Sequence, residues 1–114
     1  MIGDIAVYSV VLLVWVHFIA DFVLQSRYMA EQKSSENKAL LLHVGIYTAC
    51  LLVFLNPLFA LVNGVLHFAT DYVTSRLSSR YWKDGSTGAF FRVIGADQAI
   101  HITTLVVTYV LIIG

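Results

Sequence analysis

The sequence predicts an all-α polytopic membrane protein: four transmembrane helices as two duplicated helical hairpins, with both termini on the non-cytoplasmic side. Three observations carry this expectation. Hydrophobic residues make up 59% of the 114-residue chain, above the roughly 45–50% apolar content of soluble domains, and the mean hydropathy is +0.80. The uncharged runs, residues 5–20, 39–70 and 98–114, suit bilayer-crossing helices of roughly 20 residues. All seven Lys and Arg fall in two segments, Arg27 to Lys38 and Arg76 to Arg92. Polar positions inside the apolar runs recur three to four residues apart, not two, which sets aside a closed barrel. A chain of this length is one domain, 1–114.

The first span is expected near residues 3–25. The chain begins Met1-Ile2-Gly3-Asp4, without the basic start of a secretory signal or the second-position Gly of a myristoylation site, so this helix is expected to be retained. Asn56-Pro57 interrupts the longest run, ending one helix and opening the next, which places spans two and three near 38–56 and 58–80. The fourth is expected near 95–113. Between them, Ser26 to Asn37 reads as a polar, partly helical loop and Asp84 to Gly88 as a flexible turn. Arg27, Lys33 and Lys38 lie in the first of these loops, and Arg76, Arg80, Lys83 and Arg92 around the second. The positive-inside rule makes both cytoplasmic. Tyr28, Tyr81, Trp82, Phe90 and Phe91 at the same level suit an interfacial aromatic belt. A formal net charge of zero gives no case for nucleic-acid binding. The single cysteine, Cys50, has no disulfide partner in the chain and reads as a small buried hydrophobe.

Residues 17–26 and 67–76 match at His, Phe, Asp and Val, with Ser26-Arg27-Tyr28 echoed by Ser79-Arg80-Tyr81. This points to duplication of a hairpin, the two copies sharing orientation. Positions i and i+4 share a helix face. His17, Asp21 and Gln25 therefore form one stripe, and Asn63, His67, Asp71, Thr74 and Ser78 another. Asp97, His101, Thr104 and Thr108 line the fourth span, and His43, Tyr47 and Cys50 the second. Each span contributes one of the four histidines. All four lie toward the ends that the loop charges assign to the cytoplasm.

An ionised carboxylate costs about 2.5–3.5 kcal/mol near the centre of a membrane helix, so Asp21, Asp71 and Asp97 call for a shared cause. A divalent cation supplies one, because imidazole and carboxylate suit zinc, iron or manganese. The candidate ligands are His17, Asp21, His43, His67, Asp71, Asp97 and His101. Seven exceed one zinc site, so either some orient the others or two ions bind. Zinc is the first choice. The alternatives to a metal are a proton or cation pathway and, equally, a structural polar network or haem; haem is the weakest, because its bis-histidine pairs do not need three carboxylates nearby.

Taken together, His17-x3-Asp21-x2-Leu24-Gln25, the lone His43, His67-x3-Asp71-x2-Thr74-Ser75 and Gly95-Ala96-Asp97-Gln98-x2-His101 resemble the small bacterial and phage membrane proteins of the domain-of-unknown-function 3307 family. The resemblance spans essentially the whole chain and implies a helical domain in the bacterial cytoplasmic (inner) membrane, crossing it several times. More loosely, the pattern resembles the YdjM-type membrane-bound metal-dependent hydrolases, although the chain carries neither a His-x3-His nor a His-Glu-x2-His element.

These readings converge on a metal-dependent hydrolase acting on a lipid or lipid-linked substrate from the cytoplasmic side. Asp71 or Asp21 is then the general base and Gln98 or Ser75 the group that stabilises developing charge. Arg27, Arg76 and Gln25 flank the expected substrate mouth. The alternatives are a proton or divalent-cation transporter or channel, disfavoured by an apolar outer half, and a non-catalytic membrane or phage–host interaction module. Four short helices bury little surface, which leaves room for a homodimer.

Overall fold

The computed structural model describes residues 6–113, which are helical with short connections and contain no strand. The expectations placed on residues 1–5 lie outside the described residues. In chain order, α1 spans Val7–Phe18 and runs into a π-helical turn, Ile19–Val23; the short α2 spans Arg27–Gln32, α3 Asn37–Phe54, α4 Pro57–Lys83 and α5 Thr87–Thr108, with a second π turn at Tyr109–Ile113. Two of these helices, Asn37–Phe54 and Thr87–Ile113, are long and apolar enough to cross a membrane. The α1 stretch Val7–Val23 is apolar but shorter. Helix α4 is long enough but gives interior turns to His67, Asp71, Thr74 and Ser78, which lowers its apolarity.

Local chemistry explains the boundaries. Asn56 accepts from the backbone N–H groups of Leu58 and Phe59 at 2.9 and 3.2 Å, and Pro57 fills the first helical position, where its missing N–H costs nothing. Ser26 caps α2 by accepting from Met29 N–H at 3.2 Å. The Tyr28 hydroxyl donates to Glu36 at 2.6 Å, tying α2 to the start of α3. Gly85 adopts φ 76°, a left-handed conformation that other residues enter at a cost of about 1 kcal/mol. The turn that it makes is tight, and α5 starts directly after it at Thr87, carrying Phe90 and Phe91 on its first turns.

Helix α1 packs on α3 and α5, and α4 also packs on α3 and α5, so the long helices close a ring. Inside it, Leu13, Val16, Ala20, Tyr47, Leu51, Phe59 and Leu105 form the apolar core. Beside that core lie the polar side chains His17, Asp21, His43, Asn63, His67, Asp71 and His101, all buried. Large apolar residues point outward, including Val53, Val7 and Val65. Polar groups inside and valine and leucine outside invert the usual pattern of a water-soluble domain.

One contact sets the approach of α3 and α4. A Cβ on Gly64 would collide with Thr48 Oγ1, and that hydroxyl is held in place by donating to Val44 C=O at 2.8 Å. Gly64→Ala is expected to destabilise the protein by about 1–3 kcal/mol through overpacking. Thermal unfolding checks this, and adding Thr48→Ala, which removes the colliding hydroxyl, should recover most of the loss.

Candidate metal centre

Asp21 sits inside the π turn that ends α1. Such turns insert one residue into the helical repeat and are common at functional sites. Leu24 N–H donates to Ile19 C=O at 2.9 Å, closing the wide turn. The helix stops there, so Gln25 leaves the His17–Asp21 stripe. The matching stretch of α4 runs straight through His67 and Asp71, and the two repeated segments therefore differ in backbone while sharing letters.

Four side chains from three segments converge on one point. His43 Nε2 lies 2.8 Å from Asp21 Oδ1 and 3.3 Å from Asp71 Oδ2. His67 Nε2 lies 3.4 and 3.2 Å from the same two oxygens. The two imidazole nitrogens are 3.1 Å apart. Ligands at about 2.0–2.1 Å from a tetrahedral ion are about 3.3–3.4 Å from one another, close to these separations. A hydrogen-bond network explains them less well, because two nitrogens at this distance can hold only one proton between them. Asp71 Oδ2 is buried without a hydrogen bond; such an oxygen is costly unless a cation faces it, and the Lys33 ammonium, 3.6 Å away, faces it without bonding to it.

A second group adjoins the first. His101 Nε2 lies 3.0 Å from Asp71 Oδ1 and 3.1 Å from Asp97 Oδ1. Asp21, Asp97 and His101 can each bring a ligand atom within 4.8 Å of the others. Around these groups lies a supporting layer. Gln98 donates from Nε2 to Asp21 Oδ2 at 3.2 Å and to Asp97 Oδ2 at 3.0 Å, while Thr74 donates to Asp97 Oδ1 at 2.5 Å. The Tyr47 ring stacks on His67, and His67 on His101, both at 4.0 Å between centroids. These stacks fix the ring planes that aim the nitrogens.

His17 stands apart from the other histidines. Its Nδ1 lies 3.0 Å from the Tyr47 hydroxyl and its Nε2 2.8 Å from Gln98 Oε1, so both ring nitrogens have partners outside the ligand groups. Its closest carboxylate oxygen, Asp21 Oδ2, is 3.6 Å away. His17 thus orients Gln98, which in turn holds two carboxylates. Outer residues of this kind typically change metal affinity 10–100-fold. His17→Ala is therefore expected to weaken metal binding about 10–100-fold yet fill at saturating metal, whereas His67→Ala should not fill; metal titration followed by elemental analysis separates the two.

The site faces a cavity of about 250 Å³ bounded by Asp21, Asp71, Asp97, Gln98, Ser75 and Lys33, among others. This leads to a wider, more open hollow of about 540 Å³ that shares Lys33, Ser75, Ser78 and Phe90 and adds Trp82 and Phe91. Both hollows lie on the side of the charged loops; the apolar core closes the other side. Ser75 Oγ and Gln25 Oε1 are buried at this cavity without partners. Lys33, which the sequence presents only as one loop charge among several, reaches inward, its Nζ 3.6 Å from Asp71 Oδ2. Of the expected mouth residues, Gln25 lines the cavity. Arg76 instead lies over the Tyr72 ring and donates to Asn37 Oδ1 at 2.9 Å, and Arg27 pairs with Glu31 in solvent.

A family described as "Protein of unknown function (DUF3307)" matches residues 9–114 of this chain. No curated protein and no solved structure matches it.

Proposed function

We infer the activity of this chain, which belongs to the DUF3307 family, from its buried site: an integral membrane metal-dependent hydrolase acting on a lipid or lipid-linked substrate. One observation carries the reading. Asp21 Oδ1, His43 Nε2, His67 Nε2 and Asp71 Oδ2 lie 2.8–3.4 Å apart in the five pairs above, the spacing of ligands around one divalent ion. Zinc heads the list, with iron and manganese as the other ions that suit imidazole and carboxylate together. Among the described residues, three buried carboxylates stand against one nearby ammonium, that of Lys33, which also favours a cation in the site.

An ion held at a position open to the cavity would supply Lewis acidity and a water of lowered pKa. The protein's own groups do the rest. Asp21, Asp71 and Asp97 line the cavity as proton acceptors for that water. Hydrolysis adds the hydroxyl of water to the phosphorus or acyl carbon, breaks that atom's bond to the leaving group, and passes the proton of the water to the departing oxygen or, in an amide, nitrogen. Ser75, whose hydroxyl has no partner in the cavity wall, is the donor available to a developing charge; both contacts of the Gln98 amide nitrogen are already spent on carboxylates.

The substrate class follows from the mouth. Lys33 offers a cation, the serines offer hydroxyls, and Trp82 and Phe91, both more than half exposed, offer an apolar shelf for an acyl or prenyl chain. The outward apolar surface and the two helices long enough to cross a bilayer support a multi-pass arrangement in the cytoplasmic membrane, with the cavity toward the cytoplasm by the positive-inside rule. A transit route for protons or cations has less support, because the interior beyond the histidines is occupied by the buried apolar side chains Leu13, Leu51, Phe59 and Leu105.

The test is turnover by protein purified in detergent and loaded with zinc or manganese, against phospholipids, prenyl phosphates and lipid-linked amides. Metal-dependent product release is expected. Full metal loading with no release from any substrate class rejects the hydrolase reading while leaving the metal centre. Lys33→Ala is expected to raise KM for anionic lipids about tenfold or more, the effect of losing one partly buried charge contact, with a smaller effect on kcat; steady-state kinetics on mixed micelles checks this.

A further inference from the structure

We infer that the site holds two ions with different roles, one closed and one open to substrate; this deepens the metal-centre reading above and rests on it. The closed position is the group Asp21, His43, His67 and Asp71, each side chain 3% exposed or less. Four ligand atoms already 2.8–3.4 Å apart in the five pairs given above leave no vertex for water, which is the pattern of a structural ion. The open position is the group Asp21, Asp97 and His101. It offers three protein ligands, Asp97 is the most exposed of the site's carboxylates at 13% of its side chain, and Asp21 and Asp97 both border the cavity. Three protein ligands with a remaining position on a cavity are the pattern of a catalytic ion.

Two carboxylates join the positions. Asp21 belongs to both groups. Asp71 turns Oδ2 toward His43 and His67 and Oδ1 toward His101, 3.0 Å away. Carboxylates shared in this way suit ions about 3.5–4 Å apart, the spacing of two-metal hydrolytic sites. Gln98 holds the open group together by donating to both Asp21 and Asp97, two carboxylates that repel each other without such a donor. With both ions present, their charge and that of Lys33 outweigh the three carboxylates. The loaded site is then a receptor for an anionic group such as a phosphate ester, and the substrate class narrows to anionic lipids.

The test is metal content and spin coupling in the full chain. Protein purified in detergent without a metal-affinity tag, saturated with Mn²⁺ and freed of unbound ion, is expected to carry about two Mn²⁺ per chain and the exchange-coupled EPR signal of a pair. Asp97→Asn, which keeps the side-chain shape, is expected to carry about one, with an uncoupled signal. One uncoupled ion in the parent that survives Asp97→Asn overturns the second position and leaves the four-ligand centre standing. No ion in the parent overturns both. Coupling in the parent is decisive by itself where Asp97→Asn fails to fold.

Discussion

Asp71→Asn is expected to abolish metal binding and turnover while leaving the protein folded. Asp71 touches four residues of the site: one carboxylate oxygen lies 3.2 and 3.3 Å from His67 and His43, the other 3.0 Å from His101, and Lys33 stands 3.6 Å away. Asparagine keeps the shape but replaces a charged ligand with a neutral amide whose nitrogen cannot coordinate. Removing an outer-shell partner costs about 10–100-fold in affinity, and losing this ligand should cost more than about a hundredfold. The stability effect separates a metal centre from a polar network. With an ion bound, Asp71→Asn should unfold well below the parent, and the gap should narrow in EDTA, where the change removes only the contacts with His43, His67, His101 and Lys33. If the cluster is only a polar network, the gap is the same with and without chelator. Elemental analysis together with thermal unfolding in EDTA separates the two outcomes.

Helical spacing made much of this site legible in advance. His and Asp four apart in three spans, with loop charges fixing which ends lie together, bring Asp21, His43, His67, Asp71, Asp97 and His101 to one depth, and these six form the two ligand groups. What spacing on one helix cannot encode is the neighbour across the interface. His17-x3-Asp21 and His67-x3-Asp71 have the same form, yet His67 meets His43 and both aspartates, whereas His17 meets Tyr47 and Gln98. The π turn at Asp21 was equally hidden, since no Pro or Gly marks it within residues 17–26. Lys33 and Arg76 exchange the roles that their positions imply. A lysine on a long flexible stem at the end of α2 can fold back to a buried carboxylate, while Arg76 is drawn to Tyr72 and Asn37 on the outside. The short polar α2 could be seen as partly helical, but its cap at Ser26 and its contact with α3 are what bring Lys33 within reach.

Chelation is expected to lower the unfolding temperature by about 10 °C or more, and selected ions should restore it. A ligand that binds only the folded state adds about 2.7 kcal/mol of stability at a hundred times its dissociation constant and about 4.1 at a thousand times. For a chain of this size each kcal/mol moves the midpoint by several degrees, about 4–8 °C in domains of 60–100 residues. The cause is local: without an ion, Asp21 and Asp71 oppose each other across two imidazole nitrogens 3.1 Å apart, and among the described residues the ammonium close by is that of Lys33. Zinc, manganese or iron(II) should reverse the loss because each accepts imidazole nitrogen and carboxylate oxygen together. Calcium and magnesium, which take oxygen ligands, should not. The order of restoration among the first three identifies the preferred ion. An unfolding midpoint that does not move with EDTA, and does not rise with any of these ions, removes the metal centre and with it the hydrolase reading.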